Sequence, residues 1–214
     1  MRRFAFVLCT VAFMGASAQA GLIVDNGTLD TITDRTMTAF RVADDFTLAG
    51  PANVVSAQFW MTIVGAPSSF SGNITYAIYN NSAGTLGSLV ATNTVSGLTP
   101  IPTGGPSGGG LGYLVQFNLV APVALGAGGY WLELHEGTTL TQDDFSSVYW
   151  ATSAQTGNAK QDTVPTLPTT NTNKELAFRL FDSAVGVPEP GSITMIGLGL
   201  VALGFRARRQ LRRG

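Results

Sequence analysis

From Val54 to Val64 the side chains alternate with a period of two. Val55, Ala57, Phe59, Met61 and Ile63 fall on one side, with Ser56, Gln58 and Thr62 among those on the other. The same period recurs in Ile74, Tyr76 and Ile78, and in Leu111, Tyr113, Val115, Phe117 and Leu119. It returns in Tyr130, Leu132 and Leu134, and last in Leu176, Phe178 and Leu180. A two-residue period places successive side chains on opposite faces of a pleated strand, so these runs predict half-buried β-strands. Shorter runs at Leu22–Val24, Thr38–Thr47, Ser88–Val95 and Ser147–Ala151 predict further strands. Asn26-Gly27, Gly50-Pro51, Asn80-Asn81, Gly128-Gly129 and Gly157-Asn158 stand between them as turn signals. No stretch has the 3.6-residue period of an amphipathic helix. About nine short strands with glycine-rich turns predict an all-β fold, a two-sheet antiparallel sandwich of jelly-roll type. Gly104–Gly112 reads as a flexible hairpin loop and Pro165–Asn173 as a polar loop before the last strand.

The two ends depart from this pattern. Arg2 and Arg3 precede an apolar run from Phe4 to Ala16, and Ala18-Gln19-Ala20 sets small residues where a signal peptidase inspects the chain. Residues 1–20 therefore read as a signal peptide, cut after Ala20. At the other end Val187, Pro188, Glu189 and Pro190 precede an apolar segment carrying Ile193, Met195, Ile196, Leu198, Leu200, Val201, Leu203 and Phe205. Arg206, Arg208, Arg209, Arg212 and Arg213 follow. The two prolines forbid helix across Val187–Pro190 and keep it extended. Fourteen residues from Ser192 to Phe205 make a helix of about 21 Å, short for a hydrocarbon core of about 30 Å; snorkelling arginines or local thinning would close the gap. The arginine end would stay in the cytoplasm, which puts residues 21–186 outside. A buried C-terminal helix of the domain is the competing reading, and the arginines and the proline break speak against it.

The formal charge of −1 conceals an asymmetry. Residues 21–186 hold five basic and twelve acidic side chains, a balance of −7, while the ends hold seven arginines. An acidic body poor in lysine is no partner for nucleic acid, whose phosphates need clustered Lys and Arg. The only cysteine, Cys9, lies within the signal segment, so the exported body has no disulfide.

The remaining chemistry is sparse. His135 is the only histidine, which excludes a multi-histidine zinc site, and no Gly-x-Ser-x-Gly elbow supplies a nucleophile; His135 reads as a surface strand residue. Glu133, Glu136, Asp143 and Asp144 could in principle supply the carboxylate pair of a glycosidase, though twelve acids make that coincidence easy. Asp44 and Asp45, with Asp25, Asn26 and Asp30, offer oxygen donors for a calcium ion, against solvated turn acids as the default. No other cofactor is implied. Of Trp60, Trp131 and Trp150, Trp131 falls opposite the Tyr130, Leu132, Leu134 stripe, so it could face outward beside Glu133 and His135 and stack on a sugar, against core or intersheet filling as the usual role of large aromatics in a sandwich.

The order Val187-Pro188-Glu189-Pro190, short apolar helix, arginine cluster resembles the PEP-CTERM sorting signal of Gram-negative bacteria. The resemblance implies recognition by an exosortase, a membrane enzyme that cleaves near Pro-Glu-Pro, and transient residence in the inner membrane. It also implies delivery to the cell surface, often in organisms that build exopolysaccharide and biofilm. The chain would be a substrate of that enzyme and not itself an enzyme. The body more loosely resembles domains that accompany this signal, in Val42–Leu48, Gln58–Trp60, Ala77–Asn80, Gly129–Leu132, Tyr149–Thr152 and Leu176–Leu180. The domain division expected is 1–20, 21–186 and 187–214. The role expected is structural or adhesive in the envelope or matrix, with exopolysaccharide binding through Trp131 and Glu133 as the alternative and glycan hydrolysis as a third reading.

Overall fold

The computed structural model describes residues 21–107, 110–143 and 147–184. Ala18 and Ala20, Asp144, Val187–Pro190, the apolar segment and the arginine end all lie outside the described residues. Among those described there are thirteen strands, one 3-10 turn (Pro67–Ser69) and no α-helix. None of their helices is long and apolar enough to cross a membrane.

The strands are β1 (Leu22–Asp25), β2 (Leu29–Thr36), β3 (Phe40–Leu48), β4 (Ala52–Ile63), β5 (Ile74–Ser82), β6 (Thr85–Val95) and β7 (Ile101–Ser107). They continue with β8 (Gly110–Leu125), β9 (Gly128–Glu136), β10 (Val148–Ser153), β11 (Lys160–Thr163), β12 (Thr170–Asn171) and β13 (Phe178–Phe181). All pairs are antiparallel. One sheet runs β12-β11-β3-β9-β5-β6; the other contains β1, β13, β4, β10, β2, β8 and β7.

In the second sheet β4 has β8 along one edge. Its other edge is shared, with β13 opposite Ser56–Phe59 and β10 opposite Met61–Ile63. The fork is closed at Ala177, whose carbonyl accepts both the Trp60 N–H and the Trp150 indole N–H at 3.1 Å. Two strands can share one edge here because Ala177 in turn donates its own N–H to Ala151 at 2.9 Å.

The inner faces of the two sheets form one core, as alternation dictates. Phe46 on β3 lies edge-on to Phe178 on β13 (6.3 Å), and Tyr76 on β5 stacks on Phe117 on β8 (6.0 Å). Trp150 stands between Phe59 and Phe178 and is fully buried. Trp60 packs instead on the outer face of its sheet with Ala151 and Ala177, beneath the Arg179 guanidinium at 5.3 Å.

Several sequence expectations need correction. Val55 does not share the core face with Ala57; Val54 does, because the ladder with β8 slips there. Between Val54↔Val123 and Ser56↔Asn118, β8 carries the surplus residues Leu119–Pro122, which breaks the strict alternation. Gly104–Gly112 is not all loop, since β7 and β8 run into it; Pro102 and Pro106 fit because β7 is an edge strand. The stretch Pro165–Asn173 likewise contains β12.

Candidate functional site

Two buried polar clusters gather Asn26, Asp44 and Glu133 from the candidate residues. The first lies where β1 ends. Val42, Asp44 and Phe46 share the inner face of β3, so the pleat drives the Asp44 carboxylate into the interior, fully buried. Asp44 Oδ2 accepts the Leu176 N–H at 2.6 Å and the Asn26 amide at 3.3 Å, while Oδ1 accepts the Asp45 N–H at 3.1 Å. The same Asn26 amide donates to Glu175 Oε1 at 2.7 Å and so bridges two carboxylates. Gly157 makes room for the pair: a methyl group there would overlap the Glu175 carboxylate. Burial, reinforced by the negative charge of Glu175, holds the Asp44 carboxyl well above its usual range. Burial, with Asp45 nearby, pushes Glu175 from 4.5 up to about 7.

These donors are what a calcium ion at Asp44 would have to displace. Among the described residues no group of three or more His, Cys, Asp or Glu is arranged to hold a metal. Asp44 and Asp45 point to opposite faces, as adjacent strand residues must. Asp25 has left the cluster: Arg179 Nε donates to it at 3.0 Å, and that bond holds its carboxyl below the usual value. Asp30 accepts from Thr152 Oγ1 at 2.8 Å.

An acid whose folded value is raised binds more protons folded than unfolded. Its penalty is absent below its unfolded value, grows as pH rises through the folded one, and then persists. The protein is therefore expected to be more stable near pH 5 than near pH 8. Glu175→Gln, which keeps the oxygen facing Asn26, should remove much of that slope and raise stability at pH 8 by about 1 kcal/mol after allowance for solvent screening. Thermal melts of both proteins at the two pH values test this; parallel slopes would refute the assignment.

The second cluster covers the outer face of the sheet that carries Asp44, where neighbouring strands present Arg41 (β3), Glu133 (β9) and Tyr79 (β5). Arg41 grips Glu133 with two bonds, Nε to Oε1 at 2.6 Å and Nη2 to Oε2 at 2.8 Å. The Tyr79 hydroxyl donates to Glu133 Oε2 at 2.9 Å and accepts from Arg41 Nη2 at 3.0 Å. Burial, with Glu133 beside it, pushes the Tyr79 phenol far above its usual value. Burial works to lower the Arg41 guanidinium, but the bonds and charge of Glu133, with Tyr79, together raise it.

Trp131 lies on this same face, as its strand position predicts, but it is not presented to solvent. It is fully buried with Ala43, Ala77 and Tyr79, under Leu86 and Leu140, and the Lys160 ammonium stands 5.4 Å from its ring. Glu133 is equally inaccessible. A sugar could reach neither in this structure. His135, expected at the surface, is buried too, with Nε2 3.0 Å from the Thr38 carbonyl. Glu136 accepts the Ser71 N–H at 2.7 Å, also buried. An outer strand face reads as solvent-facing in sequence; here loops cover it, which no period reveals.

Glu175, Arg41 and Tyr79 were not visible as site residues. Glu175 is 131 positions from Asp44, and nothing local announces the meeting. Arg41 could have been found, since it alternates with Val42 on a predicted strand.

Beyond these clusters the chain carries one recognisable unit. The family model of the PEP-CTERM protein-sorting motif matches residues 186–209, immediately after the last described strand. The chain thus carries a PEP-CTERM sorting motif, which implies an exported protein, anchored in the membrane at its C-terminus and recognised by an exosortase. Neither curated proteins nor solved structures give a match.

Proposed function

We propose that the body is a non-catalytic, jelly-roll-type display domain, released from its signal peptide after Ala20 and sorted to the cell surface. There it serves a structural or adhesive role by associating with further copies of itself. Repeated passage of the chain between the two sheets supports the jelly-roll reading. The use of candidate acids, arginine and histidine in buried structural bonds speaks for display over turnover.

The observation that carries the adhesive reading is the set of sheet edges. Natural edge strands are blunted by brevity, charge or proline. Edge strand β7 has Pro102 and Pro106; β2 has Asp30, Asp34 and Arg35; β1 and β12 are four and two residues long. Edge strand β6 is neither short, charged nor interrupted by proline over its eleven residues, TLGSLVATNTV; its ladder with β5 shifts register only between Leu86 and Ala91, and it exposes Leu89 and Val90. On a body of charge −7, this uncharged strip is where two copies approach with least repulsion. Antiparallel pairing of β6 with β6 would continue the sheet across a two-fold axis.

Leu89, 52% exposed, provides the test. Leu89→Lys should leave stability within about 0.5 kcal/mol. It should also reduce self-association, measured by light scattering, and cell-to-cell cohesion in the producing strain. Unchanged association and cohesion would refute the adhesive role.

A further inference from the structure

At the end of β1 away from the acid pair, the chain meets its own C-terminal side. The Gly21 nitrogen lies 2.9 Å from Asp182 Oδ1 and 3.2 Å from Ser183 Oγ. The contact is reciprocal: the Asp182 N–H donates to the Gly21 carbonyl at 3.0 Å, and Ser183 Oγ donates to Asp182 Oδ1 at 3.0 Å. The buried Ser56 hydroxyl holds the Ser183 carbonyl at 2.6 Å. The fit depends on glycine, because a Cβ at position 21 would stand 2.5 Å from Asp182 Oδ1. Around this contact the groove is lined by Leu22, Pro51, Ala52, Asn53 and Leu125, and Asp182 is its one charged residue. The nearest other charges on these strands, Asp25 and Arg179, bind each other.

We infer that this is a receptor for the new N-terminus, in which Asp182 is the counter-ion of the Gly21 α-ammonium created by signal cleavage. The inference rests on cleavage after Ala20. Hydrolysis of the Ala20–Gly21 bond consumes one water, leaves a carboxylate on Ala20 and an amine on Gly21, and the amine is protonated near neutral pH. A backbone N–H with one proton to give becomes an ammonium with three, facing a carboxylate and a hydroxyl already in place. The neutral bond becomes a charge-assisted one, which is shorter and stronger. N-terminal processing thereby cinches β1 onto β13 and pins Asp182 and Ser183, the residues that lead into the sorting motif. Only Ala184–Val187 remain between this anchorage and Pro188, a chain that reaches at most about 14 Å. Removal of the signal at one end thus fixes where the body stands when the other end is cut.

The test uses the exported protein and an amine-acylating reagent, with labelling of the N-terminal peptide followed by mass spectrometry across pH 6–10. An α-amino group beside a carboxylate should titrate above the ordinary range of about 7.7–8.0. Asp182→Asn should lower that midpoint by about one unit, making labelling near pH 7.5 several-fold faster. Gly21→Ala, which displaces the carboxylate, should move it the same way. A chain that begins at Gly21 and labels identically with Asp or Asn at 182 overturns the clasp alone. A mature chain that begins elsewhere overturns both the clasp and the cleavage reading.

Discussion

Glu133→Ala is expected to destabilise the folded body by about 3–5 kcal/mol, because it leaves Arg41 buried with no opposing charge. Arg41 is 6% exposed and Glu133 is fully buried, so water cannot replace the lost carboxylate without opening the covering loops. The effect is not that of one surface ion pair, which is worth about 0–1 kcal/mol. Glu133 accepts from Arg41 twice and from Tyr79 once, and its removal orphans donors on two flanking strands. Changing Arg41 and Glu133 together to Met and Leu should be far milder than either truncation, since a well-packed apolar pair carries no desolvation cost. Urea denaturation of the three proteins decides the matter. A loss below about 1 kcal/mol in Glu133→Ala would mean that the pair is hydrated and the outer face open, which would return Trp131 and Glu133 to consideration as a glycan contact.

The second large effect concerns the label. Alanine in place of Pro188, Glu189 and Pro190 should leave nearly all of the protein as membrane-bound precursor, seen by immunoblot after fractionation. Proline lacks the N–H that helix needs and its ring clashes with the preceding turn, so the two prolines are expected to keep backbone here available to the sorting enzyme. Alanine is the best helix former and would let the apolar segment propagate helix back through position 188, withdrawing that backbone. Glu189→Gln, with both prolines kept, separates charge from conformation. Normal release of the triple-alanine protein would refute recognition through this segment while leaving the membrane topology intact.

The strands most legible in the chain were those with an uninterrupted two-residue period of apolar side chains. β5, β8 and β9 emerge at or near their predicted positions because each alternates cleanly over at least five residues. β2 was missed because LDTITDRT interleaves charge and threonine as an edge strand does, and β11 because Lys160–Thr163 has no apolar residue. Both lie where neighbours, not their own burial, define them. The clusters were less legible still. Period two places Trp131, Glu133 and His135 together on one face, and that is where they are. It cannot say that loops then cover the face, turning an expected sugar platform into a second buried layer. Asp44 was legible as a strand residue, whereas its bridge to Glu175 through Asn26 joins three distant loops and strands with no local signature. The sorting motif was fully legible, because prolines, apolar run and arginines act through local chain physics and need no tertiary partner.

Intact mass measurement of the protein recovered from the cell surface tests the central claim most directly, that this body is an exported domain delivered by its C-terminal label. The mass should correspond to a chain that begins at Gly21 and ends close to Pro188–Pro190, without the apolar segment or the arginines. Recovery of the full 214-residue chain, dissolved in the cytosol with both ends intact, would contradict it.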